Sequence, residues 1–126
     1  MSEVLASLKQ KGGSGGVDLS LPPDATYTNA SMANNATANI TVSQMPKLIA
    51  VGCYNMSNSY GFMFAFFDVT KQRGYRYGYW NSAFHNEVWD STNRLTWINS
   101  ITSSNVAFTC AWGSSYNSRV DVGIYY

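Results

Sequence analysis

Apolar residues recur along most of this chain with a period of two, and they do so in short runs. Residues 39–43 (NITVS) alternate as a half-buried strand does. Residues 48–54 (LIAVGCY) and 62–70 (FMFAFFDVT) are apolar at consecutive positions, the pattern of strands covered on both faces. Residues 75–80 (YRYGYW) place Tyr75, Tyr77 and Tyr79 on one side. A short strand is expected at 87–90 and another at 94–98 (RLTWI). In 106–112 (VAFTCAW), Val106, Phe108, Cys110 and Trp112 share a face. In 119–126 (RVDVGIYY), Val120, Val122, Ile124 and Tyr126 do so. Turn-forming segments separate these runs at 55–61, 71–74, 81–86 and 113–117. About seven or eight short strands with no helical period between them predict an all-β fold, an antiparallel jelly-roll-like β-sandwich.

The front of the chain reads differently. In residues 2–10 (SEVLASLKQ), Ser2 suits an N-cap, Glu3 suits the positive end of a helix dipole, and Val4, Leu5 and Leu8 make one stripe. Gly12 and Gly13 end that helix. A helix this short needs a surface to rest on. The predicted organisation is therefore a helical arm with a Gly-rich tether (1–16, closing on GGSGG), an extended connector (17–37), and a β-sandwich body (38–126), the polar stretch 24–39 reading either as an exposed loop or as weak edge strands.

Composition narrows the function classes. The chain has 126 residues, a formal charge of +1 and only 12% charged residues, against about 25% in ordinary domains. A nucleic-acid partner held by a basic field is not expected at that charge. No stretch reaches about 18 uninterrupted apolar residues, so no membrane span is expected. The opening residues lack the basic segment and apolar run of a signal peptide. The sequons at Asn29, Asn35, Asn39 and Asn55 are then read as chance products of an Asn-, Ser- and Thr-rich chain.

The apolar runs carry a stronger implication. In 62–70 both faces are greasy, so something must cover the second one. Self-association, most simply a homotrimer using Phe62, Phe64, Phe66 and Phe67, is the expectation. Burial of that hairpin under loops within a single copy is the alternative.

Catalytic chemistry is thin. The one histidine, His85, falls in a predicted turn and reads as a solvated loop residue. There is no nucleophile elbow, phosphate loop, EF-hand or zinc-binding helix motif. No enzyme activity, cofactor or metal is expected. Cys53 and Cys110 read as two buried thiols behaving as small hydrophobes, with a disulfide between their strands as the alternative. The residues suited to ligand contact are Tyr75, Tyr77, Tyr79 and Tyr116. Their rings could stack on a sugar while neighbouring Asn and Ser read its hydroxyls, although strand tyrosines also serve as cross-strand packing. A carbohydrate-binding module is the second functional reading.

The layout of helix (SEVLASLKQ), hinge (KGGSGG) and β body (ITVS, KLIAVGCY, FAFFDV, NVAFT and a closing VDVGIYY) resembles small bacteriophage virion proteins. Head fibres, capsid decoration proteins and short tail-fibre or baseplate modules are the kinds meant. The resemblance is architectural and covers the whole chain. It implies a location in the virion after assembly in the host cytoplasm. It also implies an arm anchored on a larger capsid or tail protein through Val4, Leu5 and Leu8, and a projecting body that touches a host surface, glycan included.

Overall fold

A computed structural model describes residues 16–56, 61–112 and 115–126. The expected arm, with Val4, Leu5 and Leu8, lies outside the described residues. Among the described residues nine strands form: β1 (Ala25–Met32), β2 (Thr37–Thr41), β3 (Leu48–Asn55), β4 (Phe62–Asp68), β5 (Arg73–Trp80), β6 (Ala83–Asp90), β7 (Ile98–Ile101), β8 (Asn105–Thr109) and β9 (Ser118–Tyr125). All pairings are antiparallel. They build a six-stranded sheet in the order β1-β9-β3-β4-β5-β6 and a three-stranded sheet in the order β2-β8-β7. The fold is all-β. Strands β3 to β6 run as a meander, whereas β1 and β2 lie in opposite sheets, as do β8 and β9.

The core forms between the two sheets. The large sheet contributes Ile49, Val51, Met63, Phe67, Trp89, Val120 and Ile124, and the small sheet Ile40, Ile98, Val106 and Phe108. Phe67 meets Trp89 edge-on at 6.2 Å between ring centroids, the arrangement that ring quadrupoles favour. Two glycines let β5 come close to β4. A Cβ on Gly74 would lie 1.8 Å from the Phe66 carbonyl oxygen, and one on Gly78 would lie 2.0 Å from that of Phe62.

Four local expectations change. Residues 17–37 do not run as a connector throughout, because Ala25–Met32 is an edge strand on β9 and belongs to the body. Of the two readings of that polar stretch, the edge strand is the one that forms. The turn expected at 81–86 shrinks to Asn81 and Ser82, both at positive φ (51° and 61°), the signature of a two-residue hairpin. Strand β6 consequently begins at Ala83, four residues before the strand expected at 87–90. The strand expected at 94–98 is instead a single 3-10 turn, Asn93–Thr96, followed by β7. The carboxylate of Asp90 accepts the backbone N–H groups of Thr92 (2.8 Å) and Asn93 (3.0 Å) and curls the chain there.

Candidate functional site: the outer face of the large sheet

The two sheets have opposite outer faces. On the small sheet, Thr37, Asn39 and Thr41 of β2 point outward beside Asn105 and Thr109 of β8. Their side chains bond to one another: Thr37 Oγ1 to Thr109 Oγ1 at 2.8 Å, and the Asn105 amide to Asn39 Oδ1 at 3.4 Å. Thr109 also donates to Asn99 Oδ1 on β7. Such a face is at home in water.

The large sheet presents apolar residues instead. Register places them in rows across the strands. One row reads Thr28, Asp121, Gly52, Phe64, Tyr77, Asn86 from β1 to β6. The next reads Thr26, Gly123, Ala50, Phe66, Tyr75, Val88. A third joins Tyr54, Phe62, Tyr79 and Phe84. Each of the first two rows steps from a small residue on β3, Gly52 or Ala50, to large rings on β4 and β5. The result is an open trough of about 580 Å³. Its floor is Ala50, Gly52 and Gly123. Phe64, Phe66 and Tyr77 wall one side, and Pro23 and Leu19 the other. Side by side with it, Phe62, Tyr54 and Arg119 line a second hollow, and Phe66, Tyr75, Tyr77 and Asn86 a third.

The rings support one another. Phe62 and Phe64 lie 5.7 Å apart, Phe64 and Tyr77 6.3 Å, and Tyr79 and Phe84 5.0 Å. They nonetheless stay open to solvent: Phe64 is 51% exposed and Phe84 81%. Charge on this part of the face comes from β9, where Asp121 lines the trough beside Gly52 and Arg119 lines the second hollow. Asp121 accepts hydrogen bonds from Arg119 Nε (3.1 Å) and Thr28 Oγ1 (2.8 Å), and these hold its carboxyl below the usual range.

The expected site residues divide as follows. Phe62, Phe64 and Phe66 lie on this outer face, and so do Tyr75 and Tyr77; Tyr79 is half-buried there against Phe84. The phenylalanines and tyrosines expected to serve two different purposes thus make one surface. Phe67 does not belong to it. As the immediate neighbour of Phe66 it points to the opposite face, where it is 0% exposed in the core. Tyr116 is exposed in the loop before β9 and does not line the trough. Sequence reading missed the floor, Ala50, Gly52 and Gly123, and the neighbours Tyr54 and Phe84. The signal was present in LIAVGCY, where small residues alternate with large ones.

His85 is not a solvated loop residue. It sits half-buried on β6, stacked flat on Trp80 at 4.1 Å between centroids, with Nε2 at 2.9 Å from the Trp80 carbonyl. Its Nδ1 lies 3.6 Å from Glu87, which also binds Arg76 at 2.5 Å. The Arg76–Glu87 pair and the contact of His85 Nε2 with the Trp80 carbonyl tie β5 to β6. Among the described residues no group of three or more His, Cys, Asp or Glu is placed to hold a metal ion, and no helix is long and apolar enough to cross a membrane. Cys53 and Cys110 are both buried with free thiols. No protein-family model, curated protein or solved structure matches the chain.

Proposed function

We propose that this chain is a non-enzymatic structural module of a bacteriophage virion, of the fibre or decoration kind, whose bodies pack together through the outer face of the large sheet, most simply as a homotrimer. One observation carries the reading: the contrast between the Thr/Asn-covered small sheet and the Phe/Tyr-covered large one. Exposed apolar area costs roughly 25 cal/mol per Å² relative to burial, and a face this extended and this poor in charge is typical of association surfaces. The crossing of β1–β2 and β8–β9 between sheets supports a jelly-roll-like description of the body. The arm, through Val4, Leu5 and Leu8, anchors the module to a larger capsid or tail protein, and the body projects toward the host surface.

Two tests separate the parts of this reading. The double variant Phe64→Lys/Phe66→Lys keeps the fold, because both side chains point outward, and lowers the mass in solution to that of one chain. An unchanged mass contradicts packing through this face. The virion location is tested by peptide mass spectrometry of purified phage particles from a producing culture. Peptides of this chain at several copies per particle support it; their presence in the lysate and absence from particles overturns it.

A second reading, a carbohydrate-binding module, is favoured by the hollow in which Tyr75 and Tyr77 flank Asn86. Here aromatic faces stand beside an amide that can read hydroxyls. Binding on a glycan array that Tyr77→Ala abolishes, with the mass in solution unchanged, would favour it over self-packing.

A further inference from the structure

We propose that Phe84 of one copy seats its ring in the trough floored by Ala50, Gly52 and Gly123 on the next, so that copies join head to tail. The inference rests on the self-packing proposed above and names its central contact. Phe84 is the most exposed large apolar side chain among the described residues. It stands at the start of β6, on the free edge of the large sheet, where Tyr79 meets it edge-on and props it. The trough is its counterpart. A Cβ on Gly52 would meet nothing nearer than the Phe64 ring at 3.8 Å, so the floor is open where a strand residue ordinarily carries a side chain. A glycine inside a strand weakens it, and its use marks a place that another group approaches closely. Phe64 and Phe66 on one side and Leu19 and Pro23 on the other flank a ring laid on that floor.

Phe84 cannot fill the trough of its own chain. Strands β5 and β4 lie between β6 and β3, which puts the two features about 14 Å apart across the sheet. The ring that enters comes from a second copy. The available area agrees. Phe84 and the other exposed rings of this face leave open about three and a half whole aromatic residues, or about 700 Å² at roughly 200 Å² each. Each partner in a stable complex gives up about 800 Å². Knob and trough stand on opposite sides of the face, so each copy offers its ring to one neighbour and its trough to another. Contacts of this kind close when the rotation between copies returns to its start, and three copies close the ring here.

The test compares the full chain with two variants by sedimentation equilibrium over a range of concentrations, and adds a cross-link. Phe84→Ala is expected to raise the dissociation constant of the assembly at least about tenfold. Leu95→Ala, which trims an exposed apolar residue on the 3-10 turn, is expected to leave it unchanged. In Phe84→Cys/Ala50→Cys, a short bis-maleimide added to the native protein is expected to give a covalent trimer on a denaturing gel, with linked peptides carrying positions 84 and 50; neither single replacement gives it. The native Cys53 and Cys110 are buried, so the introduced thiols are the ones that react. A wild-type chain that is monomeric at every concentration overturns the self-packing and this contact with it. With a wild-type trimer, three results overturn this contact alone: Phe84→Ala dissociating no more readily than Leu95→Ala, a cysteine pair that stays unlinked, or one that links into dimers only. Should the cysteine pair fail to fold, the comparison of Phe84→Ala with Leu95→Ala decides by itself.

Discussion

Phe66 and Phe67 are adjacent in sequence and opposite in role. Strand pleating sends one to solvent and the other to the core, so the same deletion has different consequences on the two faces. Phe67→Ala removes a fully buried ring and its contact with Trp89, and is expected to cost about 3–5 kcal/mol in urea denaturation, at every chain concentration. Phe64→Ala removes a half-exposed ring. Its effect is expected to be under about 1 kcal/mol in dilute solution and to grow with chain concentration, because assembly adds stability by mass action. A loss for Phe64→Ala that does not vary with concentration would speak against association through this residue. Acidic residues add a pH dependence. Backbone N–H groups of Asn93 and Thr92 hold the Asp90 carboxyl below its usual range, and Arg119 with Thr28 does the same for Asp121. Groups whose folded pKa is depressed contribute stability that is fully present above the unfolded value, about 3.9, and is lost as pH falls through the folded one. Tm is therefore expected to be level from pH 7 to about 5 and to fall below about 4. Asp90→Asn should flatten part of that fall in a thermal melt series.

At the scale of elements, the closeness of β4 and β5 depends on glycine. Gly78→Ala puts a methyl group against the Phe62 carbonyl and is expected to cost about 2 kcal/mol or more, measured by denaturant melts. Gly52 is the informative contrast. A Cβ there meets only the Phe64 ring, at 3.8 Å, so Gly52→Arg is expected to keep the fold while filling the trough with a charged side chain and blocking assembly. The sequence revealed these elements unequally. Strands β3 and β4 were legible because continuous apolar runs bounded by turns leave little else to be. The start of β6 was hidden because Ala83, His85 and Asn86 carry weak strand preference and Phe84 faces outward. The segment 94–98 has the composition of a strand, yet the Asp90 side chain captures the backbone before it and Arg94 Nη1 donates to the Ile98 carbonyl, folding the turn back on itself. Tertiary contacts decided there, and composition does not report them. The site was half legible. The rings announced themselves as an unexplained second greasy face, but its small-residue floor depends on which strands register places side by side, and strand order is not written in an alternating pattern.

For the whole molecule, one asymmetry organises the account. A two-sheet body can be wet on both outer faces; this one is wet on one and oily on the other. On the small sheet, Thr37, Asn39, Asn99, Asn105 and Thr109 bond to one another across the strands. Those of the large sheet leave Phe62, Phe64, Phe66, Tyr75 and Tyr77 facing outward beside a trough whose lining carries one charged side chain, Asp121. In the proposed assembly, copies of the same chain supply the matching apolar surface, and closed symmetry limits how many join. The measurement that bears most directly on this is the molar mass of the untagged chain by sedimentation equilibrium, over a range of concentrations and at two salt concentrations. The account predicts a mass of three times 13.9 kDa, little affected by salt because the interface is apolar, and a shift to a single chain in Phe64→Lys/Phe66→Lys. A mass of 13.9 kDa for the wild-type chain at every concentration would contradict it.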